Sequence, residues 1–188
     1  MTSTPATPQP DAREPSGWRA YRQEITFLLV FLVLLGGSFT LISLNWVNDH
    51  VIEPFTGLIA EASGVALKIL GQDIRMRDTM ILSDRFSVNI KNGCNGVEAM
   101  LIFFSAVLAF PSSWKSRMQG LALGLVAIQI VNLIRVVALY LTGAYMPKLF
   151  DASHTVVWQS VVIGFGVLLW IFWANRYADR PVPPGATA

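Results

Sequence analysis

The chain has 188 residues; 53% are apolar, only 14% are charged, the mean hydropathy is +0.51 and the formal net charge is +2. Soluble domains average about 25% charged residues, so this composition excludes an ordinary soluble globule. One cysteine and two histidines exclude an internal disulfide and any CxxC redox or zinc motif, and no basic block suits nucleic acid.

Residues 1–17 are rich in Pro, Thr, Ala and Ser and read as a disordered cytoplasmic tail. Trp18, Arg19, Tyr21 and Arg22 then form a basic-aromatic border of the kind found at a membrane interface. Residues 25–48, 99–114, 118–134, 136–147 and 155–175 carry no charge. A spanning helix needs roughly 20 mostly apolar residues, so these runs predict an integral membrane protein. The first span is expected at 25–46. It is longer than a signal-peptide core and lacks a small-x-small cleavage site, which predicts a retained anchor.

Residues 51–71 are apolar on one face but carry Glu53, Glu61 and Lys68, which predicts an amphipathic helix lying at the interface. A buried helix of the bundle is the alternative. In 73–93, Ile74, Met76, Ile81, Phe86, Val88 and Ile90 alternate with polar residues, predicting short strands with a hairpin near Ser83-Asp84-Arg85. The second span is expected from just after Cys94 to residue 110, before Pro111. A basic turn (111–117), a third span (118–141), a loop (142–153), a fourth span (154–173) and a cytoplasmic tail (177–188) follow. The expected fold is an all-α membrane protein. A four-span helical bundle with an outer amphipathic helix and a short β-hairpin fills a membrane domain over 18–176.

Arg13, Arg19 and Arg22 precede the first span, Lys115 and Arg117 lie between the second and third, and Arg176 and Arg180 follow the fourth. Three basic groups on one side make that side, and both termini, cytoplasmic by the positive-inside rule. The outer segment 49–93 carries five basic and six acidic residues, a near balance that does not reverse the rule.

This topology brings three reactive residue types to one outer layer. Cys94 lies at the outward start of span two and His154 at the outward start of span four. Arg135 lies six residues before the expected end of span three, roughly 9 Å below the surface at 1.5 Å per residue. The thiolate is the nucleophilic form of cysteine, and a helix N-terminus and a nearby imidazole both favour it. An arginine within a span faces a polar interior and marks function; it suits pairing with a carboxylate or holding a developing oxyanion. Asn132, one turn earlier, is placed to buttress it. Glu98 shares the helical face of Cys94, fits an ion pair with Arg135, and fits a capping box with Asn95 as the cap. Capping or ion pairing is the favoured role for Glu98 over proton transfer. Packing and capping are the plainer readings of Cys94 and His154. His50 reads as an interface residue. The tryptophans read mostly as interface anchors, with Trp158 in reach of walling the site. Gly36-Gly37 and Gly164-x-Gly166 are expected to let helices approach closely.

The stretches NGCNGVEAM, NLIRVVALY and DASHTVVWQ resemble the Cys, Arg and His motifs of the exosortase/archaeosortase family, most closely the compact exosortase H branch paired with IPTL-CTERM-type sorting signals. The resemblance implies a membrane-embedded cysteine transpeptidase. It makes Cys94 the nucleophile, His154 the general acid/base and Arg135 the residue stabilising the intermediate; the residues around them make Asn92, Asn95, Glu98 and Asn132 the expected supporting set. It implies no cofactor and no metal. The implied partners are exported proteins ending in a short motif, an apolar span and basic residues, with cleavage at the outer face of the bacterial inner membrane. The new carboxyl end would pass to an acceptor that the sequence does not identify. Many exosortases have more than four spans, which leaves homo-oligomerisation open as a way to complete a substrate channel. The rival classes are a non-enzymatic scaffold or sorting receptor, and a small-solute transporter. Against the last, the chain shows no internal repeat or pair of broken helices.

Overall fold

The computed structural model describes residues 21–178. The expected tail 1–17, the border residues Trp18 and Arg19, the basic residues Arg13 and Arg180 and most of the tail 177–188 lie outside the described residues. Helix α1 (Arg22–Ile42) takes up the first apolar run and buries none of its residues within the chain. Phe27 on α1 meets the rings of Phe110 and Trp170 at centroid distances of 6.3 and 5.9 Å. A short helical turn (Asn45–Val47) and a π-helical turn (Asn48–Ile52) lead into α2 (Glu53–Ile69).

The two readings of 51–71 meet in α2. Its buried face is Thr56, Ala60, Ser63, Gly64 and Leu67. These small residues recur at helical spacing and let α2 lie against the long helix α4 (Trp114–Tyr145). The opposite face carries Glu53, Glu61 and Lys68 together with exposed Leu58, Val65 and Ile69. The helix is therefore amphipathic and also a packed member of the bundle.

Three short strands follow: β1 (Arg75–Arg77), β2 (Met80–Leu82) and β3 (Val88–Asn89), antiparallel in the order β1-β2-β3. The expected hairpin near 83–85 is the β2–β3 connection, and a tighter β1–β2 turn precedes it with Asp78 at φ 53°. Ser83 ties the second turn, accepting from the Phe86 N–H at 3.1 Å and from the Tyr140 hydroxyl of α4 at 2.8 Å. Ile74, Ile81 and Ile90 pack with Ala60, Leu67, Val136 and Tyr140 in a core between sheet, α2 and α4. A second core joins α3 (Val97–Ala109), α4 and α5 (Trp158–Arg176) through Val97, Met100, Phe103, Val107, Ile128, Leu169 and Trp173.

All-α membrane architecture is as expected, with corrections of detail. Among the described residues, three helical segments are long and apolar enough to cross a membrane: Arg22–Ile42, Trp114–Tyr145 and Pro147–Arg176. The expected second span is only the 13 residues of α3, about 20 Å against a hydrocarbon thickness of roughly 30 Å. Its start is shortened because the polar stretch 92–96 forms turns instead of helix. The expected loop 142–153 is largely helical. Thr142 bonds the Ala138 carbonyl from inside α4, which runs on to Tyr145, and helical turns resume at Pro147.

The glycine expectation fails as well. A Cβ at Gly36, Gly37, Gly164 or Gly166 would meet nothing within 4 Å. Close approach occurs instead at Gly120 and Gly124, where a Cβ would lie 2.6 Å from the Trp173 indole and 2.4 Å from the Phe103 ring. Trp173 is correspondingly a core residue, fully buried, with its indole N–H donating to the Ser116 carbonyl at 3.0 Å. Trp46 and Trp114 are exposed, as interface anchors would be.

Candidate active site

The turn 92–96 is held by a polar network that its sequence makes possible. Asn92 donates to the Asn48 side chain at 2.9 Å and accepts from Asn95 at 3.3 Å. Asn95 is fully buried, donates to Thr56 Oγ1 at 2.9 Å, and accepts from the Val97 N–H at 3.1 Å. Gln129 of α4 donates to the Asn95 carbonyl at 3.3 Å. Gly96 caps α3 in the left-handed region (φ 77°), and a Cβ there would lie 2.9 Å from Gln129 Nε2 and 3.2 Å from Asn132 Cβ. Only glycine satisfies both the dihedral and the contact.

Cys94 sits in this turn, two residues before the cap. Its Sγ lies 3.0 Å from His154 Nε2. Arg135 Nη2 points at the same sulfur from 3.8 Å, while Nη1 donates to the Gly93 carbonyl at 3.2 Å. Arg135 is buried, and among the described residues its Nε has no partner. The three residues that sequence reasoning placed in one layer are thus brought together.

His154 is not at a helix start. It lies in a π-helical turn (Ser153–Val157) within the continuous run Pro147–Arg176. Its ring stacks on Phe150 at 5.8 Å and 5°. The other π-helical turn supplies Asn48, so both of these turns reach the 92–95 segment. Insertions of this kind re-aim side chains and recur at functional sites.

The expected pairings within the site change. Among the described residues Glu98 forms no ion pair with Arg135. Its Oε1 accepts from the Gly93 N–H at 2.7 Å, because Gly96 rather than Asn95 is the cap and the turn folds back over the carboxylate. Glu98 and Arg135 therefore hold the N–H and the carbonyl of one residue, Gly93, the neighbour of Cys94. Asn132 does not bond Arg135 either; it is buried against Gly96, and among the described residues both its amide atoms lack a partner. His50 donates from Nδ1 to the Trp46 carbonyl (2.9 Å) and stacks on the Trp46 ring, and is exposed.

Burial pushes the Cys94 thiol above its ordinary pKa; Arg135 pulls it back and Glu98 adds to the rise. The expectation of a helix-stabilised thiolate is corrected here. Cys94 precedes the helix cap and is half-buried, so loss of water outweighs the pull of Arg135.

A cavity of about 420 Å³ opens beside the sulfur, lined by Cys94, His154, Phe86, Val88, Asn89 and Phe150 with Ser87, Ile90, Val136 and Leu139. Trp158 does not line it; Phe86 and Phe150 form its aromatic walls. Sequence reasoning missed these two, along with Asn48, Thr56 and Gln129. Gln129 alone left a signal, as a polar residue three and six positions before Asn132 and Arg135 in an apolar helix.

A half-buried thiol, an imidazole in contact with it and a guanidinium behind it, on a membrane helical frame, define the class: a membrane protein with a cysteine-centred site. Residues 15–174 match the transmembrane exosortase family (Exosortase_EpsH). The chain belongs to that family, whose members are membrane-embedded enzymes of protein sorting. Comparison with curated proteins and with solved structures gives no match.

Proposed function

We propose that this exosortase is a cysteine transpeptidase that cleaves C-terminal sorting signals of exported proteins and transfers the new carboxyl end to an acceptor. The observation that carries the reading is the 3.0 Å contact between Cys94 Sγ and His154 Nε2, with Arg135 on the sulfur's other side. The raised thiol favours a protonated Cys94 at rest. His154 then acts as general base: it takes the Cys94 proton as the sulfur attacks the scissile carbonyl carbon.

The carbonyl oxygen gains negative charge, which the Arg135 guanidinium is placed to offset. Collapse breaks the carbon–nitrogen bond, and His154 returns its proton to the leaving amine. The remaining thioester is attacked by the acceptor, a nucleophilic amine or water, whose proton passes to His154 and then to the departing thiol. Glu98 and Arg135 fix Gly93, and Asn92, Asn95 and Asn132 support the turn. The substrate is read as an exported protein with an IPTL-type motif, an apolar span and a basic end. The site is read as facing the periplasm from the inner membrane, with both termini cytoplasmic.

The test is co-expression with an exported reporter domain ending in such a tail. Wild-type enzyme should shorten the reporter and Cys94→Ala should not. Shortening at the wild-type rate by Cys94→Ala overturns the nucleophile.

A further inference from the structure

The cavity beside Cys94 has an unusual wall. One side of it is a strand edge. The sheet has the order β1-β2-β3, so among the described residues nothing pairs with the outer edge of β3. The register sets Asn89 opposite Met80 and Val88 opposite Ile81, and the Ile90 N–H donates to the Thr79 carbonyl at 3.0 Å. In an antiparallel ladder alternate residues turn their backbone groups to the neighbouring strand. Val88 and Ile90 therefore face β2, and the N–H and carbonyl of Asn89 face the other way. Asn89 is exposed and lines the cavity together with Cys94 and His154.

From this juxtaposition we infer that β3 is a substrate-docking edge: the substrate chain lies extended along it as a fourth strand, delivering the scissile peptide to Cys94. The inference rests on the peptidase reading above. Unpaired strand edges recruit extended chains through main-chain hydrogen bonds, and adjoining pockets then read alternate side chains. Here the pocket is walled by Phe86, Val88, Val136, Leu139 and Phe150, which suits an apolar side chain next to the cut. The edge belongs to the element that Ser83 and Tyr140 anchor to α4, the same helix that carries Arg135. Docking on it fixes the peptide relative to the guanidinium as well as to the thiol. It also makes recognition depend mainly on the backbone, with few side-chain requirements beyond the pocket.

Proline at position 89 removes the outward N–H without touching a ladder bond, since proline is tolerated on edge strands. It also removes the Asn89 side chain, which accepts from Thr79 Oγ1 at 2.9 Å. Thr79→Ala breaks that same bond from the other side and is the control. The assay is initial cleavage of the tailed reporter, with iodoacetamide labelling of Cys94 and membrane abundance measured in parallel. Asn89→Pro should cut up to about tenfold more slowly, the worth of one main-chain hydrogen bond, while labelling and abundance stay within about twofold of wild type and Thr79→Ala cuts normally.

Wild-type cleavage by Asn89→Pro overturns the docking edge and leaves the peptidase reading standing. Absence of Cys94-dependent cleavage in the wild type overturns both. If Asn89→Pro does not accumulate, the wild-type enzyme is given synthetic peptides spanning the mapped cut, N-methylated at one position each. Losses at every second position support docking on the edge; uniform tolerance or uniform loss overturns it.

Discussion

Cys94 and His154, 60 positions apart in sequence, hold Sγ and Nε2 3.0 Å from each other. One side of the contact comes from a turn pinned by asparagines, the other from a π-helical turn. Cys94→Ala and Cys94→Ser should insert and fold normally yet leave the reporter uncut. His154→Ala should lose about 10²- to 10⁴-fold in cleavage rate, the range for general acid–base help. Immunoblots of reporter length and of enzyme abundance check both. Wild-type rates for His154→Ala would remove the imidazole from the chemistry.

The raised Cys94 thiol predicts a pH profile. Burial and the Glu98 carboxylate disfavour the thiolate, and Arg135 favours it. Alkylation of Cys94 should therefore climb with pH and level off only above the ordinary thiol range. Glu98→Gln removes a negative charge and should move the inflection down. Arg135→Met removes a positive one and should move it up. Iodoacetamide rates across pH in detergent measure all three. A wild-type inflection well below the ordinary value would mean a resting thiolate and contradict the general-base mechanism.

Gly93 is held from both sides, its N–H by Glu98 and its carbonyl by Arg135. Glu98→Gln keeps an acceptor for the N–H, so stability should change little while the charge is lost. Glu98→Ala leaves the N–H of the exposed Gly93 to water and should cost about 0.5–1.5 kcal/mol. Thermal unfolding in detergent reads the difference. Among the described residues Arg135 has no carboxylate partner, so Arg135→Met leaves no acid unpaired and gives up only the hydrogen bond to the Gly93 carbonyl; it should accumulate with a modest loss of stability, about 0.5–1.5 kcal/mol, while failing to cut. Equal destabilisation by Glu98→Gln and Glu98→Ala would remove Glu98 from the turn's support.

The topology proposal is tested by reporter fusions. Lys115, Arg117 and Arg176 lie at one end of the α3–α4–α5 group, and Cys94 precedes α3 at the other. Fusions in 111–113 or after residue 176 should be active only as cytoplasmic reporters, and a fusion at Asp84 only as a periplasmic one. The opposite pattern would turn the site to the cytoplasm.

The sequence alone determined the membrane class, because hydropathy is a local property and long uncharged runs have few other uses. It also brought Cys94, Arg135 and His154 to one layer, since alternating spans fix which segment ends lie together. Small residues on the inner face of α2 and the alternation in 73–93 were legible for the same reason. What only the tertiary structure decided was phase and partner. The length of α4 beyond residue 141 and the π-helical turn at His154 depend on packing, which local composition does not encode. The choice of Gly93 over Arg135 as the partner of Glu98 turned on the path of a five-residue turn. Gly120 and Gly124, and not the paired glycines, are among the points of close approach because Trp173 and Phe103 face them. The cavity with β3 along its edge exists only where the sheet, α4 and the 147–157 turns converge, and those segments are distant in sequence.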